Sequence, residues 1–387
     1  MYTYCCLNNI SGVGIKQFDN RYTEVHETEP SDAILVRSAN MKDMEFSSEL
    51  KAIARAGAGV NNVPVERCAK EGIVVFNTPG ANANGVKELV IAGMLLASRD
   101  IVGGIEWLEH QEPTADLQKR AEKQKKQFAG SEISGKKLGI IGLGAIGVMV
   151  ANTAVALGME VHGYDPYLSL KAAWNLSSSI KYESEVEEIY RQCDFITIHV
   201  PLNDGTQGMI DEKAFSLMKD GAVLLNFARD LLVSESALIA ALTSGKLKKY
   251  VTDFVTPSVA KAPNTIITPH LGASTKESED NCAVMAVRQL RDYLENGNIR
   301  NSVNYPSCDM GVCTTAGRIA INHTNEPNML AQLTSVLGAA NVNVANISNK
   351  SRGDYAYTLI DTDSSLNDEI VSKLNGISGV LKVRIVK

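Results

Sequence analysis

From Lys137 onward, short apolar runs alternate with segments whose apolar residues recur every three or four positions. The runs predict strands at 137–141, 160–164, 194–199, 222–226, 248–252 and 265–268. The segments between them predict helices at 145–157, 184–191, 211–218 and 234–243. Strands alternating with helices imply right-handed crossovers and a mostly parallel sheet. Ahead of this stretch, 33–36 and 73–76 read as buried strands. Residues 86–98, apolar at helical spacing, read as a buried helix. Residues 114–127 are dense in Lys, Gln and Glu and read as a solvated helix face. A long helix over 275–296, closed by Gly297, leads the chain back towards its first domain.

After a linker at 298–313, the tail 314–387 reads as self-contained. Strands at 319–322, 342–348, 355–361 and 380–386 and helices at 328–337 and 367–374 give the order βαββαβ. The expected class is α/β, with two Rossmann-like doubly wound domains followed by this small tail. The expected divisions are a substrate-binding domain at 1–98 completed by 283–306, a dinucleotide domain at 99–282 and the tail at 314–387. Nothing in the tail looks catalytic, and a binding or dimerisation module fits it better.

With 44% hydrophobic and 21% charged residues, the chain can fill ordinary globular cores. The net charge of −6 argues against a general nucleic-acid or membrane surface. The N-terminus lacks the basic-then-apolar order of a signal peptide, and no apolar run is long enough for a bilayer. Seven scattered cysteines without CxxC spacing read as free thiols in a reducing cytoplasm. Cys308, Cys313 and His323 are the nearest approach to a metal set, and no metal is expected.

The chemistry begins at Gly142-Leu143-Gly144-Ala145-Ile146-Gly147, between a strand and a helix. Gly142 allows the turn, Gly144 lets the backbone approach a pyrophosphate, and Gly147 lets helix and strand pack. The helix start then offers N–H groups to the phosphates. The next strand ends at Asp165, 18 residues after Gly147, where a carboxylate can accept bonds from an adenosine ribose. The pattern predicts an adenine dinucleotide and favours hydride transfer. Arg229, after the 222–226 strand, emerges at the carboxyl edge where ligands bind in such sheets. His270, presented by Pro269 after another strand, supplies a group that titrates near neutrality. A cation to polarise an oxygen and an imidazole to take a proton are what hydroxy-acid oxidation requires.

The glycine motif, Asp165, Phe227-Ala228-Arg229 and the run Thr268 to Thr275 resemble the D-isomer-specific 2-hydroxyacid dehydrogenases. Arg55 to Val63 and Asn77 to Asn82 resemble the branch that oxidises D-3-phosphoglycerate, and the tail resembles an ACT domain, a regulatory module. The resemblance implies NAD as cofactor and 3-phosphoglycerate as substrate, oxidised to 3-phosphohydroxypyruvate on the way to serine. It implies that Arg37, Ser38, Arg55, Gly59, Val60, Asn61 and Asn82 hold substrate, with Lys125 reaching a partner subunit's phosphate site. It implies cofactor contacts at Thr78, Gly142, Gly144, Ala145, Ile146, Gly147, Asp165, Thr206, Phe227, Ala228, Asp253, Gly272 and Ala273. Arg229 and His270 become the catalytic pair, and His323, Asn325 and Asn343 an L-serine effector site. A cytoplasmic homodimer or homotetramer is the implied assembly.

Three departures stand out. The glutamate usual between the positions of Asp253 and His270 is absent, Asp230 stands where glycine is usual, and Asn328 follows Pro327 in place of glycine. The first two leave in play a non-catalytic NAD-sensing regulator on the same fold, and the third makes the tail's loop less open. A dehydrogenase of another D-2-hydroxy acid such as 2-hydroxyglutarate is the enzyme alternative.

Overall fold

The computed structural model describes residues 1–387 and divides into two compact units. One comprises Met1–Asn82 with Lys276–Lys387, the other Ala83–Thr275.

The first unit opens with β1 (Tyr2–Cys6), β2 (Tyr22–Glu24), β3 (Ala33–Val36), β4 (Ala52–Arg55) and β5 (Val74–Phe76). They form a parallel sheet in the order β2-β1-β3-β4-β5. The central β3 and the edge strand β5 are apolar and buried on both faces, as a covered parallel sheet requires. The strands β1, β2 and β4 were not expected. β1 (Tyr-Thr-Tyr-Cys-Cys) mixes polar and apolar residues, and β4 (Ala-Ile-Ala-Arg) runs straight into the glycine-rich turn that drew the functional reading.

The second unit holds β6 (Lys137–Ile141), β7 (Glu160–Tyr164), β8 (Lys181–Tyr182), β9 (Phe195–Ile198), β10 (Ala222–Asn226), β11 (Leu247–Thr252) and β12 (Thr265–Ile267). All are parallel, in the order β12-β11-β10-β9-β6-β7-β8. The chain order reverses beside β6, so the glycine motif leaves the sheet at a topological switch point.

The boundary expected at residue 98 is corrected. The helix Ala83–Ser98 belongs to the second unit, because Val86, Val90, Met94 and Ala97 pack with Val148, Ala151, Phe227 and Val251. The boundary expected at 282/283 lies instead after Thr275, and all of the long helix Lys276–Asn296 falls in the first unit.

The tail contributes β13 (Gly317–Thr324), β14 (Val344–Arg352), β15 (Tyr355–Thr362) and β16 (Val380–Ile385), an antiparallel sheet in the order β14-β15-β13-β16, with helices Met329–Ala339 and Asp368–Asn375. The element order is the expected one, but the tail is not self-contained. Ala320, Tyr357 and Leu359 share a core with β1, β3, β4 and the long helix. The orphan carbonyls at that helix's end are met largely by the tail. Arg384 donates to Tyr293 O at 2.7 Å and Leu294 O at 2.9 Å. Arg318 donates to Asn296 O at 2.9 Å, and the Tyr357 hydroxyl to Gly297 O at 2.7 Å. Two guanidinium groups thus stand at the negative end of the helix dipole. No helix is long and apolar enough to cross a membrane.

Candidate active site

In the second unit the glycine motif follows β6 directly. Gly142 has φ of +96°, and a Cβ there would press on the His199 carbonyl. A Cβ on Gly147 would collide with Gly142 O, so the helix could not approach. A Cβ on Gly144 would meet nothing within 4 Å, leaving an open cradle before the helix Ala145–Ala156. The N–H groups of Ala145, Ile146 and Gly147 open that helix and have no intrahelical partner. Asp165 anchors the loop: one carboxylate oxygen accepts Leu143 N–H at 2.9 Å, the other Tyr167 N–H at 2.8 Å.

Three further strand ends meet at the same edge. At β10, the buried Asn226 folds the turn, donating to Arg229 O at 2.8 Å and accepting Ala228 N–H at 3.1 Å. Arg229 is thereby aimed outward, half-buried, its Nη1 on Ala228 O at 2.5 Å. At β11, Asp253 is buried. Its Oδ2 accepts Gly272 N–H at 2.9 Å, and its Oδ1 is buried without a partner. Burial pushes this carboxyl up, while the Gly272 N–H and the charges of His270 and Arg229 pull against it. At β12, His270 is exposed, its ring 4.8 Å from that of Phe254. Arg229, His270 and Gly272 therefore gather around Asp253.

The segment lacking the usual glutamate is held by a carboxylate from the helix Glu235–Thr243. Thr256 donates to Glu235 at 2.6 Å, and bonds from Thr256 and Ser258 hold that carboxyl below its usual range. Two expected cofactor contacts point elsewhere. The Phe227 ring lies in the core against Gly93, so only its backbone faces the edge. Thr206 closes its own turn, donating to Pro201 O at 2.6 Å and accepting Asn203 N–H at 2.9 Å. Lys125 pairs with Glu122 at 2.6 Å within its own segment.

In the first unit the basic residues gather at the ends of β3 and β4. Asn8 Oδ1 accepts three successive N–H groups, Arg37 at 3.0 Å and Ser38 and Ala39 at 2.9 Å. Asn62 ties this loop to Arg55. It accepts Arg55 Nε at 3.1 Å and donates to Ala39 O at 2.8 Å. Gly57 carries no side chain because the Arg55 guanidinium lies where its Cβ would be. Arg37 also pairs with Glu279 at 2.7 Å. Gly59, Val60 and Asn61 form the turn after Gly57, and Asn77 Nδ2 bonds Ala58 O at 2.6 Å, tying that turn to the loop carrying Thr78 and Asn82. Thr78 itself is buried, with its N–H on Gly57 O at 3.1 Å. Asn8, Asn62, Asn226 and Glu235 escaped the sequence reading. Asn226, next to the Arg229 turn, and Asn62, inside the Arg55–Val63 motif, carried a local signal.

Of the expected effector residues, His323 is buried while Asn325 and Asn343 are exposed. His323 has one ring nitrogen on Thr324 O at 2.7 Å and the other on Thr358 Oγ1 at 2.8 Å. Asn325 bonds Gly353 O at 3.1 Å, and Asn343 bonds Asp363 at 2.5 Å.

His199, just after β9, is half-buried with its Nδ1 buried and unpartnered, and burial of the ring depresses its pKa to about 3. An unfolded histidine protonates near pH 6.5. The folded state therefore keeps its full stability above that pH and loses it as pH falls towards 3, by up to about 1.4 kcal/mol per unit. Urea unfolding at pH 7 and pH 5 is expected to show a smaller loss for His199→Gln than for the wild type. Parallel losses would exclude His199 as the source.

A family model described as "D-isomer specific 2-hydroxyacid dehydrogenase, NAD binding domain" matches residues 91–272. A D-3-phosphoglycerate dehydrogenase of Methanocaldococcus jannaschii is 37% identical over 286 residues, covering 72% of this chain and 52% of the relative. One from Haemophilus influenzae is 30% identical, covering 89% and 83%. The chain spans about half the length of the first curated relatives it matches. Among solved structures, NAD+-bound 3-phosphoglycerate dehydrogenase of Entamoeba histolytica superposes with a TM-score of 0.61 at 25% identity, covering 78% of this chain and 98% of that one. The apo D-mandelate dehydrogenase of Rhodotorula graminis superposes with a TM-score of 0.65 at 23% identity, covering 76% and 94%, a likeness of fold.

Proposed function

The chain belongs to the D-isomer-specific 2-hydroxyacid dehydrogenases, and from that premise we propose that it oxidises D-3-phosphoglycerate to 3-phosphohydroxypyruvate with NAD. The observation that carries the substrate choice is the Asn8–Asn62 clasp, which fixes Arg37, Ser38 and Arg55 as a cationic end suited to a phosphate.

The residues fit the cofactor. The open cradle at Gly144 suits a pyrophosphate. The orphaned Asp253 Oδ1 is an acceptor suited to an amide donor such as a nicotinamide carboxamide. NAD, held there, would supply the acceptor for the hydride from substrate C2. His270 takes the C2 hydroxyl proton and later releases it to solvent, so the substrate loses two electrons and two hydrogens in all. Arg229 holds the substrate's carboxylate and polarises the oxygen that becomes the carbonyl. Asp253 and Asn226 keep His270 and Arg229 at the sheet edge through Gly272 and the 226–229 turn.

The test is the reverse reaction. NADH oxidation is expected with phosphohydroxypyruvate and to be far weaker with 2-oxoglutarate, pyruvate or glyoxylate. Equal rates across the panel would overturn the substrate, and no activity with any would overturn the enzyme. In the same assay Asp165 is expected to enforce strong preference for NADH over NADPH, because its carboxylate repels a 2′-phosphate. Comparable efficiency with both would refute that role.

An exposed apolar face on the helix Ile101–Glu109, formed by Ile101, Val102, Ile105 and Leu108, supports assembly as a homodimer or homotetramer. Lys125, paired within its own segment, is left as a solvated charge. Both ring nitrogens of His323 are already bonded, so an L-serine effector in the tail would rest on the exposed Asn325 and Asn343.

A further inference from the structure

The long helix Lys276–Asn296 presents Asn281, Met285, Arg288 and Asp292 at steps of four, three and four residues, a single face. That face lines a cavity of about 510 Å³ within the first unit, with Gly80 and Ala81 in its wall. Arg288 and Asp292 stand one turn apart yet do not pair. Arg288 reaches only the neutral Gln17, with Nε and Nη2 both at 3.3 Å from its side-chain oxygen. Asp292 Oδ1 accepts Asn298 at 2.8 Å and Asn296 at 3.1 Å, while its Oδ2 has only Arg300 at 3.7 Å. Arg300 is itself neutralised by Asp309 at 2.5 Å. The cavity thus offers a cation without a counter-ion, a carboxylate oxygen with spare capacity and the thioether of Met285 between them.

We propose that this cavity binds a small zwitterion of the α-amino-acid type, its carboxylate on Arg288, its ammonium on Asp292 and its side chain against Met285. A simple anion would be repelled by Asp292 and a simple cation by Arg288. A zwitterion places charges of the right signs a few ångströms apart, the span of one helical turn.

The site is wired to the substrate loop. Gln289, fixed by Asn301 at 2.8 Å, donates to Asn77 O at 2.9 Å, at the root of the loop carrying Thr78 and Asn82. A ligand against Gly80 and Ala81 would restrain the same loop. Occupancy would therefore change affinity at the loop's other face by a coupling typical of linked sites.

Calorimetry on the full chain tests the binding, with glycine, L-alanine, L-serine, L-aspartate and L-methionine as probes at roughly 10 mM, suited to millimolar affinity. At least one is expected to bind, with lactate and ethylamine at least about tenfold weaker because each lacks one of the two charges. Arg288→Gln and the cavity-filling Met285→Trp are both expected to abolish binding. Binding by none of the five, or binding that survives both substitutions, overturns the site. These results stand apart from the proposed activity. In the dehydrogenase assay the bound probe is expected to shift an apparent KM about fivefold or more in the wild type and not in Arg288→Gln. Binding without such a shift overturns the coupling.

Discussion

His270→Ala is expected to cut turnover by on the order of 10²-fold or more, with a modest change in substrate KM. The ring is exposed at the end of β12, is steadied by Phe254, and makes no ring hydrogen bond that a fold would need. Its loss therefore removes a proton acceptor and little stability. Arg229→Ala should behave differently. A guanidinium that grips the carboxylate in ground and transition state alike contributes to both KM and kcat. Arg229→Lys should rescue little, since an ammonium cannot fork onto a carboxylate. Stopped-flow single turnovers separate binding from chemistry. A His270→Ala enzyme within tenfold of wild type would remove His270 from the mechanism, and a pure KM effect for Arg229→Ala would confine it to binding.

The residues of that pair were legible in the sequence because their signals are local. A strand followed within three residues by Arg, or by Pro-His, puts a side chain at the carboxyl edge, and the glycine motif states which edge holds a ligand. What supports them was not legible. Asn8 meets the 37–39 amides across 29 to 31 positions, and Glu235 meets Thr256 across 21. Asparagine and glutamate occur throughout the chain, and only three-dimensional closure singles these out.

Burial was legible too, but not its partner. The spacing of Val86, Val90 and Met94 announces a helix with a buried face, and nothing in that spacing says which sheet covers it. The helix accordingly moved to the second unit. His323 shows the converse. Its spacing to Asn343 matches a ligand set, yet a strand residue faces one side of its sheet or the other. His323 faces Thr358 and satisfies itself there.

The tail's attachment yields the largest expected loss of stability. Arg318 is fully buried on β13. Its guanidinium bonds Asp361 twice, at 2.5 and 2.9 Å, and donates to Asn296 O, Gly311 O and Met310 O. Arg318→Ala would leave Asp361 charged and nearly buried without its partner, and would strip the Asn296 carbonyl of its donor at the long helix's end. Removing one member of a buried ion pair costs about 3–5 kcal/mol, a large share of the roughly 5–15 kcal/mol that holds a typical protein folded. The penalty comes from the stranded charge more than from the lost attraction. Arg318→Met with Asp361→Leu should therefore recover most of it, since apolar side chains of similar volume often replace a buried pair at no net cost. The double variant still lacks the bond to the Asn296 carbonyl, so recovery should stop short of wild type. Equilibrium urea unfolding of the three proteins decides the matter. A loss below about 1 kcal/mol for Arg318→Ala would mean that water reaches Asp361 and that the pair behaves as a surface one. A double variant no better than the single would mean that the carbonyl caps, and not the buried carboxylate, carry the attachment of the tail to the long helix.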